Sequence, residues 1–404
     1  MKTPHYGYVI VACCCLIMGI DVGLSMSCAG IFYQPVSEAI GATTGEFGLY
    51  MSLSFLTSAL SLGFAGRLME RYSARWLLTG SSAVLGATMA LMSLFTKLWE
   101  FYVAGCVIGV TLAFLLYLSF PTLINRWFRR NVGFLIGICS AASGIGGILF
   151  NPVGGWILSQ WGWHAGYLTF GGIILLVVTP ATALLLRDYP AQKGVTPVGA
   201  ADEIEGEGGK AVARGVDYSE AVRKASFYVL VLFAFLIMAS STLFLFLPKY
   251  ASSVGFSIEQ GALVASGAMA GVTVGKLALG YINDRSCRVG VLVSTLTGIA
   301  GLLCMLWMSQ WIGAIICGAF LFGWCYAAVT VQTAVLVREV FGSRDYARIY
   351  SVVSIALAAG GTVASGAWGF IVDHTSFAFI FYMGSVMLGV CLLSGLWSLR
   401  SGKS

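Results

Sequence analysis

The chain has 404 residues, of which 58% are hydrophobic and only 10% are charged, and its mean hydropathy is +0.88. Because soluble domains carry about 25% charged residues, this composition excludes an ordinary soluble protein and indicates a polytopic membrane protein. We attribute the formal net charge of +6 to basic loops, so no nucleic-acid partner is expected.

Apolar runs of about 20 residues, the length that crosses a bilayer, predict twelve transmembrane helices. The first six spans cover residues 7–30, 46–66, 76–95, 99–123, 132–158 and 164–186. The last six cover residues 226–248, 258–282, 289–308, 311–337, 346–371 and 377–399. The first span is too long for a signal-peptide core and lacks a convincing cleavage site, so we expect it in the mature protein.

One long loop, residues 187–225, separates six spans from six. We therefore predict an N-terminal six-helix bundle over residues 1–186 and a C-terminal six-helix bundle over residues 226–404. Acidic residues among glycines and small side chains are typical of a solvated linker. In this loop they are Asp202, Glu203, Glu205 and Glu207.

The two halves match each other at an offset of 214 residues. The segment Gly66-Arg-Leu-Met-Glu70-Arg71 aligns with Gly280-Tyr-Ile-Asn-Asp284-Arg285, and each follows the second span of its half. Further matches join Arg130 to Arg344, Ser140 to Ser354, and Gly146-Gly147 to Gly360-Gly361. A duplicated six-helix unit of this kind places a substrate site between the halves, near the bilayer midplane.

Basic residues are distributed unequally between the loops. If both termini are cytoplasmic, the cytoplasmic segments hold 20 of the 23 Lys and Arg residues, whereas the outer loops hold Lys97 and Lys249. Lys276 is the remaining cation. This asymmetry satisfies the positive-inside rule, and it predicts a multi-pass protein of the cell membrane with both termini cytoplasmic.

Lys276 and Asp21 are the charged residues that lie deep within predicted spans. A charge at a helix centre costs about 2.5–3.5 kcal/mol, so such residues usually face a partner, a water-filled cavity or a ligand. At 1.5 Å per residue, Lys276 lies about 12 Å and Asp21 about 20 Å from the cytoplasmic helix ends. We predict that Lys276 binds a small anion and that the two side chains meet across a central cavity.

A proton-coupled mechanism follows from this pair of charges. Without substrate, the charges of Asp21 and Lys276 would cancel. With a substrate carboxylate bound to Lys276 and a proton on Asp21, the site would be neutral again. Neutrality in both states lets the halves rock without moving net charge through hydrocarbon. The proton is the expected coupling ion, and no cofactor or metal is expected. A permanent salt bridge, or a Lys276 side chain that snorkels to the inner face, is the alternative.

Several segments resemble a known family. These are His5-Tyr-Gly-Tyr8, Gly30-Ile-Phe-Tyr-Gln-Pro-Val36, Asn125-Arg-Trp-Phe-Arg-Arg130, Ser219-Glu-Ala-Val-Arg223 and Phe341-Gly-Ser-Arg344. With the twelve spans, they identify the chain as similar to the major facilitator superfamily, and within it to the monocarboxylate transporter and oxalate:formate antiporter branch. The resemblance implies an all-α fold of 12 transmembrane helices in two pseudo-symmetric six-helix bundles.

The resemblance implies a role for Lys276. In this branch, helix 8 carries an arginine that binds the substrate carboxylate, four residues before the glycine of the Gly-x-x-x-Asp motif, and Lys276 stands four residues before Gly280. Animal members have an aspartate where this chain has Val272, and lysine offers a point charge without the bidentate guanidinium. The dicarboxylate antiporters carry a further lysine at the position of Leu357, so a single cation suggests a monocarboxylate.

Hydrogen-bond donors on apolar walls would complete such a site. Tyr117 and Tyr326 lie well inside the fourth and tenth spans, and tyrosines on these helices are similar to carboxylate-contacting residues of bacterial monocarboxylate transporters. Ser25, Ile145 and Gln332 are further candidates, placed by helix position alone. Packing between helices is the alternative role of a buried tyrosine.

Charged residues at the cytoplasmic loops are predicted to gate the passage. They are Glu70, Arg71 and Arg75 in the first half and Asp284, Arg285 and Arg288 in the second. We expect them to pair across helix ends and to lock the outward-open state, while Arg126, Arg129 and Arg130 bind anionic membrane lipid. Simple retention of topology by positive charge is the alternative.

Together these observations predict a secondary transporter, active as a monomer, that moves a small monocarboxylate by alternating access. A proton-driven exporter of drug-like molecules is the first alternative, because Gly147-Ile-Leu-Phe-Asn-Pro-Val-Gly-Gly155 partly resembles the helix 5 signature of drug:proton antiporters. An anion or amino-acid exchanger is the second. The sequence contains no nucleophile and base constellation and no metal or phosphate motif, so an enzyme is not expected.

Overall fold

A computed structural model of the chain describes residues 5–199, 215–342 and 344–401. Within these ranges, ten continuous helical segments are long and apolar enough to cross a membrane. One of them, Val132–Leu185, contains two helices, because Gly162 breaks it with φ 76° and ψ 175°. Ala74–Met92 is a further helix of 19 residues. The twelve helices of the described residues correspond one by one to the twelve predicted spans.

We number these helices in chain order. The first six are α1 (Gly7–Ile40), α2 (Thr44–Arg71), α3 (Ala74–Met92), α4 (Leu98–Trp127), α5 (132–161) and α6 (163–185). The last six are α7 (Ala225–Ser253), α8 (Ile258–Arg285), α9 (Cys287–Trp307), α10 (Ile312–Phe341), α11 (Tyr346–His374) and α12 (Phe377–Ser401). The all-α prediction is confirmed.

The largest difference from the predicted ends is in α1, which continues ten residues beyond the predicted limit. Its last turns are a 3-10 helix, Ala29–Phe32, and an amphipathic α-helix, Tyr33–Ile40. In that segment Gln34 donates a hydrogen bond to Glu38 at 2.9 Å, while Tyr33 and Val36 are buried. The polar residues end the apolar run, but they do not end the helix.

Because the described residues form twelve successive helices that alternate in direction, both ends of the described chain lie on one face of the molecule, which we call the termini face. His5 is hydrogen-bonded to the Thr196 carbonyl at 3.0 Å, and the Trp127 indole donates to the Arg187 carbonyl at 3.0 Å. The other side is called the opposite face. The acidic linker residues Asp202, Glu203, Glu205 and Glu207 lie outside the described residues. The boundaries of the two bundles therefore stay a prediction.

Contacts between the two chain halves are concentrated at two helix pairs, with smaller contacts between the end of α1 and helices α7 and α8. Helix α5 packs on α8, and α2 packs on α11. Pro152 in α5 has no N–H, so the carbonyl of Ile148, four residues earlier, has no helical donor. Ser266 of α8 supplies one, with its hydroxyl 2.8 Å from that carbonyl. A proline that weakens one helix thus creates a hydrogen bond between the halves.

Glycines allow α1 and α5 to lie backbone against backbone. A Cβ added at Gly146 would overlap the Gly19 carbonyl, and one added at Gly23 would lie 3.3 Å from the Gly146 Cα. Small residues permit such close approach of transmembrane helices. This contact brings α1 beside the middle of α5, where the predicted binding residues lie.

We expect Gly146→Ala to destabilise the protein, because the new methyl group can be accommodated only if α1 and α5 separate. Overpacking of this kind costs about 1–3 kcal/mol. Gly137→Ala on the same helix is the matched control, since nothing lies within 4 Å of its added Cβ, and alanine there removes backbone entropy from the unfolded chain. Thermal unfolding in detergent should show a lower midpoint for Gly146→Ala alone. Equal midpoints for the two variants would contradict this packing.

Candidate functional site

Lys276 lies in the middle of the molecule, where α8 meets α5. Its Nζ atom donates to the carbonyl oxygen of Ser140 at 3.1 Å and to the Ser140 hydroxyl at 3.2 Å. The side chain is half-buried. Ser140 lies eight residues after the start of α5 and Lys276 nine before the end of α8, so both are about 12–14 Å from the termini-face ends of their helices.

The ammonium of Lys276 forms no ion pair with an acidic side chain among the described residues. The ion pairs found there are all elsewhere: Lys224–Glu220, Lys249–Asp373 and Arg344–Asp217. A lysine has three donor hydrogens, and the bonds to Ser140 are directed to neutral oxygens. The charge of Lys276 is therefore solvated by neutral groups and not neutralised by a carboxylate.

Asp21 does not meet Lys276, so the predicted ion pair is not formed in this structure. Its side chain is fully buried inside the first half, and its Oδ1 atom accepts a hydrogen bond from the Ser82 hydroxyl of α3 at 3.3 Å. The reason is the backbone of α1, which is a π-helix over Ile17–Ser27. The wider turn changes the direction of residues on it, so that spacing along an ideal α-helix misplaces Asp21.

The surroundings of Asp21 are hydroxyl groups and not charges. The Ser82 hydroxyl lies 3.4 Å from that of Thr179 on α6, and Thr79 donates to Thr182 at 3.2 Å one turn closer to the termini face. The second carboxyl oxygen of Asp21, Oδ2, is buried without a hydrogen-bond partner. These side chains form a polar strip between α3 and α6 inside the first half.

Tyr117 and Tyr326 come from different halves and are brought together. Their hydroxyls are close enough to interact electrostatically, and Tyr350 of α11 is also within range of Tyr117. Tyr117 is 41% exposed. The ring of Tyr326 stacks on Phe244, with centroids 4.9 Å apart and planes 17° apart. The two predicted phenol donors, one from each half, are therefore within electrostatic range of each other.

The three weaker candidates occupy different surroundings. Ser25 is buried, and its hydroxyl donates to the Asp21 carbonyl at 2.6 Å. Ile145 is 48% exposed, five residues after Ser140 on α5. Gln332 is fully buried and donates to the carbonyl of Cys287 at 3.3 Å. Gln332 thus joins α10 to α9 inside the second half, and the structure does not bring it to Lys276.

The predicted gating residues do not pair with one another in this structure. Five of them are exposed at the termini face and form no ion pair with a described residue: Glu70, Arg71, Asp284, Arg285 and Arg288. The guanidinium of Arg285 covers the Tyr281 ring at 3.6 Å. Arg75 differs, because its side chain donates to the Ala183 carbonyl and its backbone N–H to Asp188. Arg75 therefore ties α3 to the end of α6.

Polar contacts between the halves are confined to one side of Lys276. Between described residues, the hydrogen bonds from one half to the other lie at Lys276 or nearer the opposite face. They are Lys276–Ser140, Ser266–Ile148, Glu259–Ser159, Asp373–Gly45 and Lys249–Thr44. This pattern, with the unpaired charges at the termini face, describes a conformer that is closed at the opposite face.

Two polar residues of the site, Ser140 and Ser82, are not among the candidates predicted from the sequence. Ser140 is visible there only as the repeat partner of Ser354, and Ser82 is one small hydroxyl residue in an apolar span. Their roles depend on which helix each one faces, and helix contacts are not encoded in local spacing. Among the described residues, no group of three or more His, Cys, Asp or Glu side chains is arranged to hold a metal ion.

The chain is similar in sequence to several known transporters, at low identity. The uncharacterized MFS-type transporter YhjX of Escherichia coli K12 is 27% identical over 340 residues, which cover 82% of this chain and 80% of that protein. Human monocarboxylate transporter 12 is 25% identical over 345 residues, which cover 77% of this chain and 66% of the transporter. The MFS-type transporter pynF of Aspergillus niger is 24% identical over 331 residues, with coverage of 80% and 72%.

Solved structures show the same fold. A bacterial homologue of the human lysosomal transporter Spinster, inward-facing and unoccupied, superimposes with a TM-score of 0.71 at 15% identity, covering 100% of this chain and 98% of the other. Its occupied, inward-facing form gives a TM-score of 0.68 at 16% identity, covering 100% and 96%. The family model described as Major Facilitator Superfamily matches residues 15–285 and 229–403. The chain therefore belongs to the major facilitator superfamily, and it is a multi-pass membrane transporter and not an enzyme.

Proposed function

We propose that this transporter moves a small monocarboxylate by alternating access and that a proton moves with it. The observation that carries the proposal is Lys276, a half-buried ammonium at the depth where the halves meet, without an acidic partner among the described residues. An isolated charge at this depth is costly. A ligand carboxylate is the group that compensates it most directly.

Ser140 marks where the carboxylate would bind. Its carbonyl and hydroxyl oxygens accept two hydrogen bonds from Lys276 at 3.1 and 3.2 Å. Two carboxylate oxygens can replace them as acceptors, and charge-assisted hydrogen bonds are roughly twice as strong as neutral ones. The substrate therefore competes with Ser140 for Lys276, and binding loosens a bond between α5 and α8.

Tyr117 and Tyr326 are proposed to hold the rest of the substrate. They come from α4 and α10, so a molecule between them contacts both halves at once. Tyr326 is held in place by its stacking on Phe244. A site with one cation, two phenol groups and an aliphatic side chain such as Ile145 suits a carboxylic acid better than an amphipathic cation.

Asp21 is the proposed proton carrier, although it does not contact Lys276. Ser82 can donate to a carboxylate or accept from a carboxylic acid, so it can hold Asp21 in either protonation state. The hydroxyls of Thr179, Thr79 and Thr182 continue the polar strip toward the termini face. Proton exchange with that side can therefore use groups inside the first half.

Helix α5 connects the proposed substrate and proton sites. It carries Ser140, which contacts Lys276, and six residues later Gly146, which lies against Gly19 of α1. Because these contacts leave no free space, a shift of α5 that follows the breaking of the Ser140 bond also moves α1 near Asp21. This packed connection replaces the direct ion pair as the proposed coupling path.

Several further properties belong to the same proposal. The protein acts as a monomer in the cell membrane, with both termini cytoplasmic, and its basic termini face contacts anionic lipid. Arg126 there covers the ring of Tyr189 at 4.7 Å and donates to the Met69 carbonyl. The six gating residues are proposed to pair when this face closes, which would require the helix ends to approach.

The structure gives the drug-exporter alternative less support than the monocarboxylate proposal, because of where Asn151 of the helix 5 segment 147–155 lies. Asn151, where the chain departs from that signature, is fully buried and donates to the carbonyls of Ser27 and Gly147. It joins α5 to α1 and does not line the space between the halves. An exporter of organic cations also needs an acidic group on the substrate path, and Lys276 offers the opposite charge.

Thermal unfolding of the purified protein in the presence of candidate ligands tests this function. We expect lactate, pyruvate or formate to raise the unfolding midpoint in a saturable manner, with about 2.7 kcal/mol of stabilisation at a hundred-fold excess over Kd. Oxalate should have less effect, because Lys276 is a single cation. The matched neutral amides should have none, and stabilisation by amphipathic cations alone would favour the exporter.

Counterflow in proteoliposomes then distinguishes symport from exchange. A pH gradient should drive net uptake of the stabilising acid if a proton accompanies it. Uptake that requires an anion or amino acid inside the vesicle, and that ignores the pH gradient, would instead identify an exchanger.

A further inference from the structure

Two polar contacts between the halves occupy equivalent positions in the repeat. In the first, Asp373 at the end of α11 accepts a hydrogen bond from the backbone N–H of Gly45 in the first turn of α2, at 2.7 Å. In the second, Glu259 in the first turn of α8 accepts one from the Ser159 hydroxyl at the end of α5, at 2.6 Å. At the repeat offset of 214 residues, Gly45 is equivalent to Glu259 and Ser159 is equivalent to Asp373.

The backbone contacts beneath these hydrogen bonds repeat as well. Gly369, one turn before Asp373, is so close to α2 that an added Cβ would lie 2.6 Å from the Gly45 Cα. Gly155, one turn before Ser159, is its repeat partner, and an added Cβ there would lie 3.5 Å from the Glu259 Cα. The same close approach of a helix end to a helix start therefore occurs twice on the opposite face.

Both helix starts are fixed by capping boxes at equivalent positions. Thr43 and Glu46 cap α2, and Ser257 and Gln260 cap α8. Such reciprocal side-chain to backbone hydrogen bonds satisfy otherwise free N–H groups of the first turn. The partners of Asp373 and Ser159 are thus held on rigid helix ends, so breaking either hydrogen bond requires whole helices to move.

Lys249 makes the two contacts unequal. At the end of α7, its Nζ atom lies 3.8 Å from Asp373 Oδ1 and donates to the Thr44 hydroxyl. The side chains of Lys249 and Asp373 are only 24% and 14% exposed, so solvent screens this ion pair incompletely. Glu259 is exposed and has no basic partner among the described residues.

We infer that Gly45–Asp373 and Ser159–Glu259 are paired clasps that keep the passage closed at the opposite face, and that the Asp373 clasp, reinforced by Lys249, contributes more. Both clasps join a helix of one half to a helix of the other, so both must break before the halves separate on this side. Neither contacts Lys276 or Asp21. The inference is therefore independent of the transported solute and of the coupling ion.

Hydrogen–deuterium exchange of the purified protein measures this opening without substrate. The variants are Asp373→Asn, Glu259→Gln, their combination, and Ser159→Ala, which removes the second clasp without altering a carboxylate. Hydrogen bonds to charged groups are stronger than neutral ones, so we expect exchange in residues 44–55 and 258–269 to accelerate about ten-fold in Asp373→Asn. Glu259→Gln and Ser159→Ala should have smaller effects of similar size.

The combined variant tests whether the clasps act on one opening. If both oppose the same movement, their free energies add and the accelerations multiply, because the sites share no partner. Each single variant should then also accelerate exchange at the other clasp. Acceleration restricted to the substituted helix end would show local fraying and overturn the inference, as would unchanged exchange in a folded double variant. Glu220→Gln, which breaks an exposed ion pair with Lys224 at the termini face, is the matched control and should change neither segment.

Discussion

Lys276→Ala should abolish saturable, pH-driven uptake of the monocarboxylate while the protein still inserts into the membrane and folds. The ammonium is the proposed partner of the substrate carboxylate, and removing one member of a desolvated charge pair costs about 2–5 kcal/mol. Even the smallest of these losses, about 2 kcal/mol, lowers the affinity about 30-fold. Ligand-dependent thermal stabilisation and radiolabelled uptake in proteoliposomes both measure this change.

Two control variants separate the charge of this side chain from its position. Lys276→Arg keeps the charge but introduces a larger planar group, so it should retain binding with reduced affinity. Lys224→Ala removes an exposed lysine whose ion pair with Glu220 lies on the surface, and surface pairs contribute little. This variant should behave as wild type. Full uptake by Lys276→Ala would show that the ammonium serves only the contact between α5 and α8.

The global fold could be predicted because the lipid bilayer constrains it strongly. Each span must satisfy its own backbone hydrogen bonds within hydrocarbon, so apolar runs give the number and approximate ends of the helices. Even α3, whose 19 residues are among the shortest, begins two residues from its predicted start. The repeat at 214 residues also predicts that Ser140 and Gly146 are equivalent to Ser354 and Gly360.

The arrangement of the site was less predictable, because it depends on helix rotation. Lys276 follows an α-helical register, and its depth near the middle of the molecule agrees with the sequence estimate. Asp21 does not follow it, since the π-helix Ile17–Ser27 directs its carboxyl group to Ser82. Gln332 similarly turns into its own half and meets Cys287. If a helix is rotated by one residue position, a side chain that would face a cavity faces the packed interior instead.

The clasps of the opposite face show a different limit of sequence reasoning. Asp373 and Glu259 lie at helix ends on the opposite face, and a single acidic residue at a helix end carries no signal of its own. Their positions in the repeat become informative only when α2 is seen to meet α11 and α5 to meet α8. The gates predicted from the sequence are charged residues of the termini face, whereas this conformer places its polar closure on the other face.

Asp21→Asn should uncouple transport from the proton gradient without preventing exchange. The amide is nearly isosteric, and its oxygen can still accept the hydrogen bond from Ser82, but it cannot bind and release a proton. With one proton per substrate, a gradient of one pH unit supports about ten-fold accumulation, since about 1.4 kcal/mol corresponds to a factor of ten. In Asp21→Asn vesicles the accumulation ratio should fall to about one, while counterflow at equal pH persists.

Ser82→Ala provides the intermediate case, because it removes the hydroxyl that contacts Asp21 and leaves the carboxyl group itself. Accumulation should remain, but its dependence on pH should shift, since the Ser82 hydroxyl forms a stronger hydrogen bond with the ionised carboxylate than with the carboxylic acid. Thr295→Val in α9 is a suitable control, as that buried hydroxyl donates only to backbone carbonyls of its own helix. If Asp21→Asn accumulates substrate normally, Asp21 does not carry the proton. If the folded variant loses counterflow as well, the carboxylate instead maintains the site itself, and the polar strip between α3 and α6 is structural.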